Sequence, residues 1–265
     1  MYSHHIFYLK QKEARVKAII LAAGKGNRLL PITDHQPKCL LNIGGITIMQ
    51  RQLQMLRECG ISDISVVRGY MKDMICYSGI KYYENTDYEN NNILKSLFYA
   101  ETEMDDEFLF SYSDILYEKD VVRKLMDSPG DISIVVDIDW LSRYEGRDQH
   151  PVTEAELVAV EVEGSRVVRI GKEVVPPDGA YGEFIGLAKF SKEGAEILET
   201  TYHDVDEKKA GGRFQNAVSV DKAYLTDMLQ ELIDRGYVVR SVDIKGGWQE
   251  IDTPQDLERA RRYYG

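Results

Sequence analysis

No cysteine motif, no surplus of positive charge and no long apolar run occurs in this sequence, and each absence removes a class of function. Its 265 residues include three cysteines, Cys39, Cys59 and Cys76, an odd number without a C-x-x-C pair. Neither a disulfide framework nor a zinc site is suggested, and the thiols read as reduced. Lys and Arg total 33 against 44 Asp and Glu, a net charge of −11. A general nucleic-acid binder needs basic surface to displace phosphate counterions, so that role is set aside. A small phosphate ligand remains open, because a few local cations and backbone amides suffice to hold one. No apolar stretch approaches the roughly 20 residues of a membrane span. The N-terminus has no basic segment followed by an apolar one, so no signal peptide is evident. The expectation is a soluble, cytoplasmic protein with no membrane and no nucleic-acid partner.

What is present is an ordinary globular composition, 43% hydrophobic and 29% charged. Residues 1–16 show no clear period and read as an extension or a joint to something else. From Lys17 to residue 265 the chain reads as one domain, with a nucleotide half (17–130) and an acceptor half (131–265). Lys17–Ala23 is a short apolar run ending at Gly24, the mark of a buried parallel strand. Strands are expected at Ile64–Val67, Ile80–Tyr83 and Glu107–Asp114, with a helix before Gly60 and another opening at Asn91-Asn92. Alternation around Gly164-Ser165 predicts a hairpin, and Phe184–Phe190 a further strand. An amphipathic helix is predicted from Val218 to Arg235, and a last one after the capping box Thr253-Pro254-Gln255-Asp256. Strands alternating with helices indicate an α/β fold, Rossmann-like and three-layered, around a mixed, mostly parallel sheet.

The chemistry concentrates in Leu21-Ala22-Ala23-Gly24-Lys25-Gly26-Asn27-Arg28, closed by Pro37-Lys38. The glycines let bare amides approach phosphates. Arg28 supplies a planar fork for phosphate oxygens and Lys38 a mobile point charge. A dinucleotide fingerprint would need Gly where Leu29 stands, and no Gly-Lys-Ser/Thr ending marks a P-loop. A plain glycine-rich turn is the bland alternative. Asp114 ends an apolar strand, and Asp252 lies just ahead of the last helix. Strand-end carboxylates face the crevice of an open α/β sheet, and magnesium takes one or two of them. Each acid could instead be a solvated group, and Asp252 could merely precede its helix cap.

This segment resembles the signature of the sugar-nucleotidyltransferase superfamily, and the chain is most similar to its phosphocholine and phosphonate cytidylyltransferases. Asn27 replaces the Thr or Ser common there, and Ser113 a Gly. The resemblance implies Arg28 and Lys38 as catalytic cations and Asp114 and Asp252 as ligands of Mg2+. It implies nucleotide binding by Leu21, Ala22, Ala23, Gly24, Gly26 and Asp114, with the base read by Asn92 and Ser96. Capping by Asn91 and Asn92 is the competing role for that segment. For the acceptor, Asp137, Asp139 and Trp140 combine anions with an indole, a set suited to an ammonium group, and Glu183 adds to it. Lys172 is placed like the family's lysine for the acceptor phosphate, and Arg143, Arg147 and His150 could serve the same anion. The expected partners are CTP and a small phosphorylated or phosphonate acceptor; a homodimer or a longer fused chain is compatible. A UDP-, dTDP- or GDP-sugar pyrophosphorylase is the alternative enzyme, and a non-catalytic nucleotide-binding domain the alternative class.

Overall fold

Lys17–Ala22 forms strand β1, buried after its first residue, as a strand covered on both faces must be. The computed structural model describes residues 16–161, 164–208 and 211–265. Of the extension set apart at residues 1–16, all but Val16 lies outside them. A hairpin of β2 (Asn42–Ile43) and β3 (Ile46–Thr47) leads into helix α1 (Ile48–Glu58), started by a Thr47–Gln50 capping box. Next come β4 (Asp63–Arg68), β5 (Lys81–Glu84), the short helix α2 (Ile93–Phe98) and β6 (Phe108–Tyr112). They are followed by β7 (Ile115–Tyr117), α3 (Lys119–Met126) and β8 (Ile132–Asp137). The remainder contains β9 (Glu156–Val160), β10 (Val167–Lys172), β11 (Gly182–Phe190) and α4 (Lys192–Lys208). Helix α5 (Leu225–Asp234), β12 (Val239–Ile244), β13 (Trp248–Glu250) and α6 (Pro254–Tyr264) close it.

One nine-stranded mixed sheet runs β10-β9-β11-β6-β1-β4-β5, with β8 pairing β11 and carrying β12. The run β5-β4-β1-β6 and the pair β8–β12 are parallel, whereas β11 is antiparallel to β6, β8 and β9. Alternating residues of β1 face opposite cores, as a strand's two-residue period requires. Ile19 and Leu21 pack with residues of α2, α4 and α5, while Ala18 and Ile20 pack with α1 and α3. The layers are therefore helix, sheet, helix. Among the described residues, no helix is long and apolar enough to cross a membrane.

Two local features aim residues at the site. The register of β11 shifts between Phe184 and Ala188, and Gly186 there has φ +84°. A Cβ at Gly186 would sit 2.2 Å from the Tyr112 ring, so only glycine lets β11 bend over β6 and turn Glu183 towards the cleft. The second is a ribbon standing off the main sheet, in which β7 pairs antiparallel with β13, Ile115 opposite Glu250. The Ile251 amide donates to the Asp114 carbonyl at 2.9 Å, which brings Asp114 and Asp252 to one end of that ribbon.

The helix expected over Val218–Arg235 is shorter than its apolar period suggested. Residues 220–222 form a 3-10 turn, and α5 starts only at Leu225, where the Tyr224 amide donates to the Asp227 carboxylate at 2.8 Å. Val218 is 72% exposed, so the upstream part of the pattern has no core to face.

Candidate active site

The loop after β1 brings two cations to the two acids of the ribbon. Gly26, at φ +69°, would place a Cβ 3.1 Å from the Lys38 Cβ, so the lysine stem passes directly under the glycine loop. Lys38 is buried, and its Nζ donates to Asp114 Oδ2 at 2.7 Å and to Asp252 Oδ1. Arg28, half exposed, pairs with Asp252 Oδ2 and reaches Glu154 at 3.3 Å. Burial works against the charge on Lys38, but Asp114 and Asp252 outweigh it and raise its pKa. Burial likewise opposes the Asp252 carboxylate, which Lys38 and Arg28 nonetheless hold below its ordinary value. Both partners thus report the same strongly charged pair.

Arg28, Asp114 and Asp252 line a cleft of about 810 Å³ above the carboxyl ends of β1 and β6, shared by Leu21, Asn92, Lys172 and Glu183, and Lys38 is buried behind the two acids. Asn92 is the residue before α2, yet its side chain caps nothing. Its Nδ2 donates instead to the Lys222 carbonyl at 3.1 Å, and among the described residues its Oδ1 has no hydrogen-bond partner. Ser96, expected beside it, is buried out of the cleft, accepting from Asn85 Nδ2 at 2.8 Å. Ala22 ends β1, and Ala23 and Gly24 continue into the loop; Gly24 is exposed, and a Cβ there would meet nothing within 4 Å.

The acceptor constellation expected at the end of β8 is not assembled. Asp137 is fully buried and holds a turn together. Its Oδ2 accepts from Trp248 Nε1 at 2.7 Å and its Oδ1 from the Gly246 and Asp139 amides. Trp140 packs in a separate apolar cluster with Tyr144 and Leu157, and Asp139 points to solvent with Ser142. None of the three lines the cleft. Arg143 is bound to Asp137, and Arg147 ties Asp256 at 2.7 Å and Glu250 at 2.8 Å, fastening α6 to the ribbon. Lys172 does reach the cleft, paired with Glu154 at 2.9 Å and lying 4.5 Å from the centre of the Tyr224 ring.

Glu250, Glu156 and Tyr224 escaped the sequence reading, whereas Asp252 was expected as a metal ligand and His150 as a contact for the acceptor's anion. Glu250 and Asp252 are two apart next to a strand, a spacing that places both on one side. With His150 they offer three ligand atoms within 4.8 Å of one another. Burial, then the neighbouring Asp252, pushes Glu250 up to about 7, and burial with nearby Arg147 lowers His150 to about 4. Glu156 is buried under Tyr112 and Thr226, which donate to it at 3.1 and 2.8 Å. Tyr224 had no signal beyond its place ahead of α5.

Glu183 carries a testable pH effect. It accepts from Tyr144 at 2.7 Å, its second oxygen has no partner, and burial, helped by Glu250, pushes it up to about 8 from 4.5. A raised folded-state value means the folded chain holds a proton that the unfolded chain releases. The resulting penalty is absent below about pH 4.5 and grows until about pH 8. Glu183→Gln is neutral throughout, so its Tm should match the parent's near the lower limit and exceed it by several degrees above the upper one. Parallel melting curves across that window check this.

The comparisons with known proteins point the same way as the geometry. The MobA-like NTP transferase domain family matches residues 18–163. A CTP:phosphoglutamine cytidylyltransferase of Campylobacter jejuni is 31% identical over 254 residues, spanning 92% of this chain and 98% of that protein. A 2-aminoethylphosphonate cytidylyltransferase of Lancefieldella rimae is 30% identical over 195 residues, 72% of this chain and 73% of the relative. In fold, the CTP:phosphocholine cytidylyltransferase of Streptococcus pneumoniae superposes with a TM-score of 0.71 at 22% identity, covering 95% of this chain and 100% of the other.

Proposed function

Because this chain belongs to the MobA-like NTP transferase family, and is thus a nucleotidyltransferase, we propose that it transfers CMP from CTP to the phosphate or phosphonate oxygen of a small acceptor. One observation carries the reading: Arg28 and the acids Asp114 and Asp252 meet in a single cleft, and Lys38 is ion-paired to both acids from behind. The acceptor oxygen forms the new bond to the α-phosphorus while the bond to the β-phosphate's bridging oxygen breaks and pyrophosphate leaves. The acceptor oxygen is already ionised at neutral pH, so no general base is required. The protein's task is positioning and charge stabilisation. Arg28 and Lys38 offer donors to the phosphate oxygens, the glycines of the loop let its amides approach them, and Lys172 meets the acceptor's anion.

The donor set also fits a magnesium ion. Asp114 Oδ1 is buried without a hydrogen-bond partner, and carboxylate oxygens are the hard ligands that magnesium takes. Asp114 and Asp252 would hold it, and when bound it supplies neutralising charge to the nucleotide's phosphates. Lys38 and Arg28, which pair with these carboxylates, would offer their remaining donors to the triphosphate.

Asn92 supports cytosine over uracil. Its Nδ2 is fixed on the Lys222 carbonyl, so the edge it presents is an acceptor oxygen. Cytosine meets it with an exocyclic amine donor, uracil with a second acceptor. An unmade hydrogen bond of this kind costs ~1–3 kcal/mol, so kcat/KM for CTP should exceed that for UTP by about fivefold to a hundredfold. Pyrophosphate release measured across the nucleoside triphosphates tests this. Parity of UTP or dTTP with CTP would move the sugar-nucleotide alternative ahead.

A further inference from the structure

A second hollow of about 1150 Å³ adjoins the cleft, and the two share Lys172 and Tyr224. Arg169, Arg213 and Lys222 stand around it, all three exposed. None has a hydrogen-bonded or ion-paired side-chain partner among the described residues, although the chain carries a net charge of −11 and acids are plentiful. Of the two acids there, Asp227 has its oxygens engaged by the Asn216 and Tyr224 amides, leaving Glu173 alone against three free cations. Two turns shape the rim. Glu173 and Gln215 adopt left-handed backbone at φ 55° and 51°, which costs a side-chain-bearing residue energy and persists where surroundings enforce it. The Asn216 amide bridges these turns by donating to the Lys172 carbonyl at 3.4 Å.

We infer that the acceptor carries, besides its phosphate or phosphonate, a carboxylate that extends past Tyr224 into this basic hollow. The inference rests on the transfer reading only for the first anion, the group that Lys172 meets. Unpaired like charges on a folded surface repel one another, and a concave wall concentrates their field on an incoming anion. The arginines add a planar fork that matches a carboxylate's two oxygens. Lys172, paired with Glu154 and lying over the Tyr224 ring, is held at the junction of the two hollows, where it meets the first anion.

The test uses two probes that differ by one carboxylate, O-phosphoserine and O-phosphoethanolamine. Each is titrated into the protein with a non-hydrolysable CTP analogue and magnesium. Phosphoserine should bind at least tenfold more tightly. The double variant Arg169→Gln, Arg213→Gln should erase that preference while leaving phosphoethanolamine unchanged; both residues are exposed, so folding is not at stake. Equal affinity of the two probes in the parent, binding of neither, or a preference that survives in the double variant overturns the inference. The transfer reading fails by a separate sign, the absence of pyrophosphate release from CTP across acceptors, so the two failures are told apart.

Discussion

Lys38→Met is expected to lower the rate of pyrophosphate release by a factor on the order of 10², and up to about 10³, the range found when one preorganised electrostatic group is removed from an active site. The expectation follows from where the amine sits. Among the described residues, Lys38 is the one cation that touches both Asp114 and Asp252, and it is buried beneath the glycine loop. A triphosphate entering the cleft adds negative charge beside two carboxylates, and without the lysine Asp114 loses its ion-pair partner and Asp252 keeps Arg28. The same substitution should show in stability. Asp252, held low by Lys38 and Arg28, stabilises the fold above its unfolded value, and that contribution is lost as pH falls through its depressed folded value. The Tm deficit of Lys38→Met should therefore be largest near neutral pH and shrink in acid, where the carboxylates are protonated in both proteins. A rate loss with no pH-dependent deficit would place the lysine's role in contact with substrate alone. An unchanged rate would remove it from the machinery.

The parts legible in the sequence were those whose geometry is local. Leu21 to Arg28 is a strand end, a turn and a short helical turn in unbroken succession, so residue order alone places the amides and the arginine together. Lys38 follows ten residues later, and Gly26 makes room for it. Asp114 and Asp252 were legible one at a time, as strand-end and pre-helix acids. Their meeting depends on the β7–β13 ribbon, whose partners no local pattern connects.

Asp137 shows why the acceptor side was less readable. A carboxylate at a strand end was expected to face ligand, but Trp248 and Gly246 fold back over it and use its lone pairs. Removing the anion from solvent also removes it from any ligand, and the indole at Trp140 turns into an apolar cluster. Ser96 fails for a related reason. It shares a helix face with Asn92, yet α2 is so short that one turn carries it under Asn85 and Asn91. The overlong helix over Val218–Arg235 has a similar origin, since periodicity records which residues are apolar and not whether a core awaits them.

Asp114→Asn is expected to reduce kcat by roughly a hundredfold or more, and chelation with EDTA to abolish turnover of the parent until magnesium is restored. Of the two acids, Asp114 gives the cleaner test. Asp252 also anchors Lys38 and Arg28 and adjoins the capping box of α6, so its replacement disturbs structure and chemistry together. Asp114 has one oxygen on Lys38 and the other, Oδ1, buried with no partner. An unpartnered buried carboxylate oxygen is costly to keep, and a ligand that completes its shell gives a reason for it. Asparagine keeps the size and the oxygen facing Lys38 but surrenders the charge, so melting temperature should change little while magnesium affinity falls. Calorimetric titration of magnesium into each protein, with the CTP analogue bound, reads that loss without relying on turnover. Undiminished magnesium affinity and undiminished kcat in Asp114→Asn would remove the carboxylate from the metal site and leave Asp252, Glu250 and His150 as the donor set to examine.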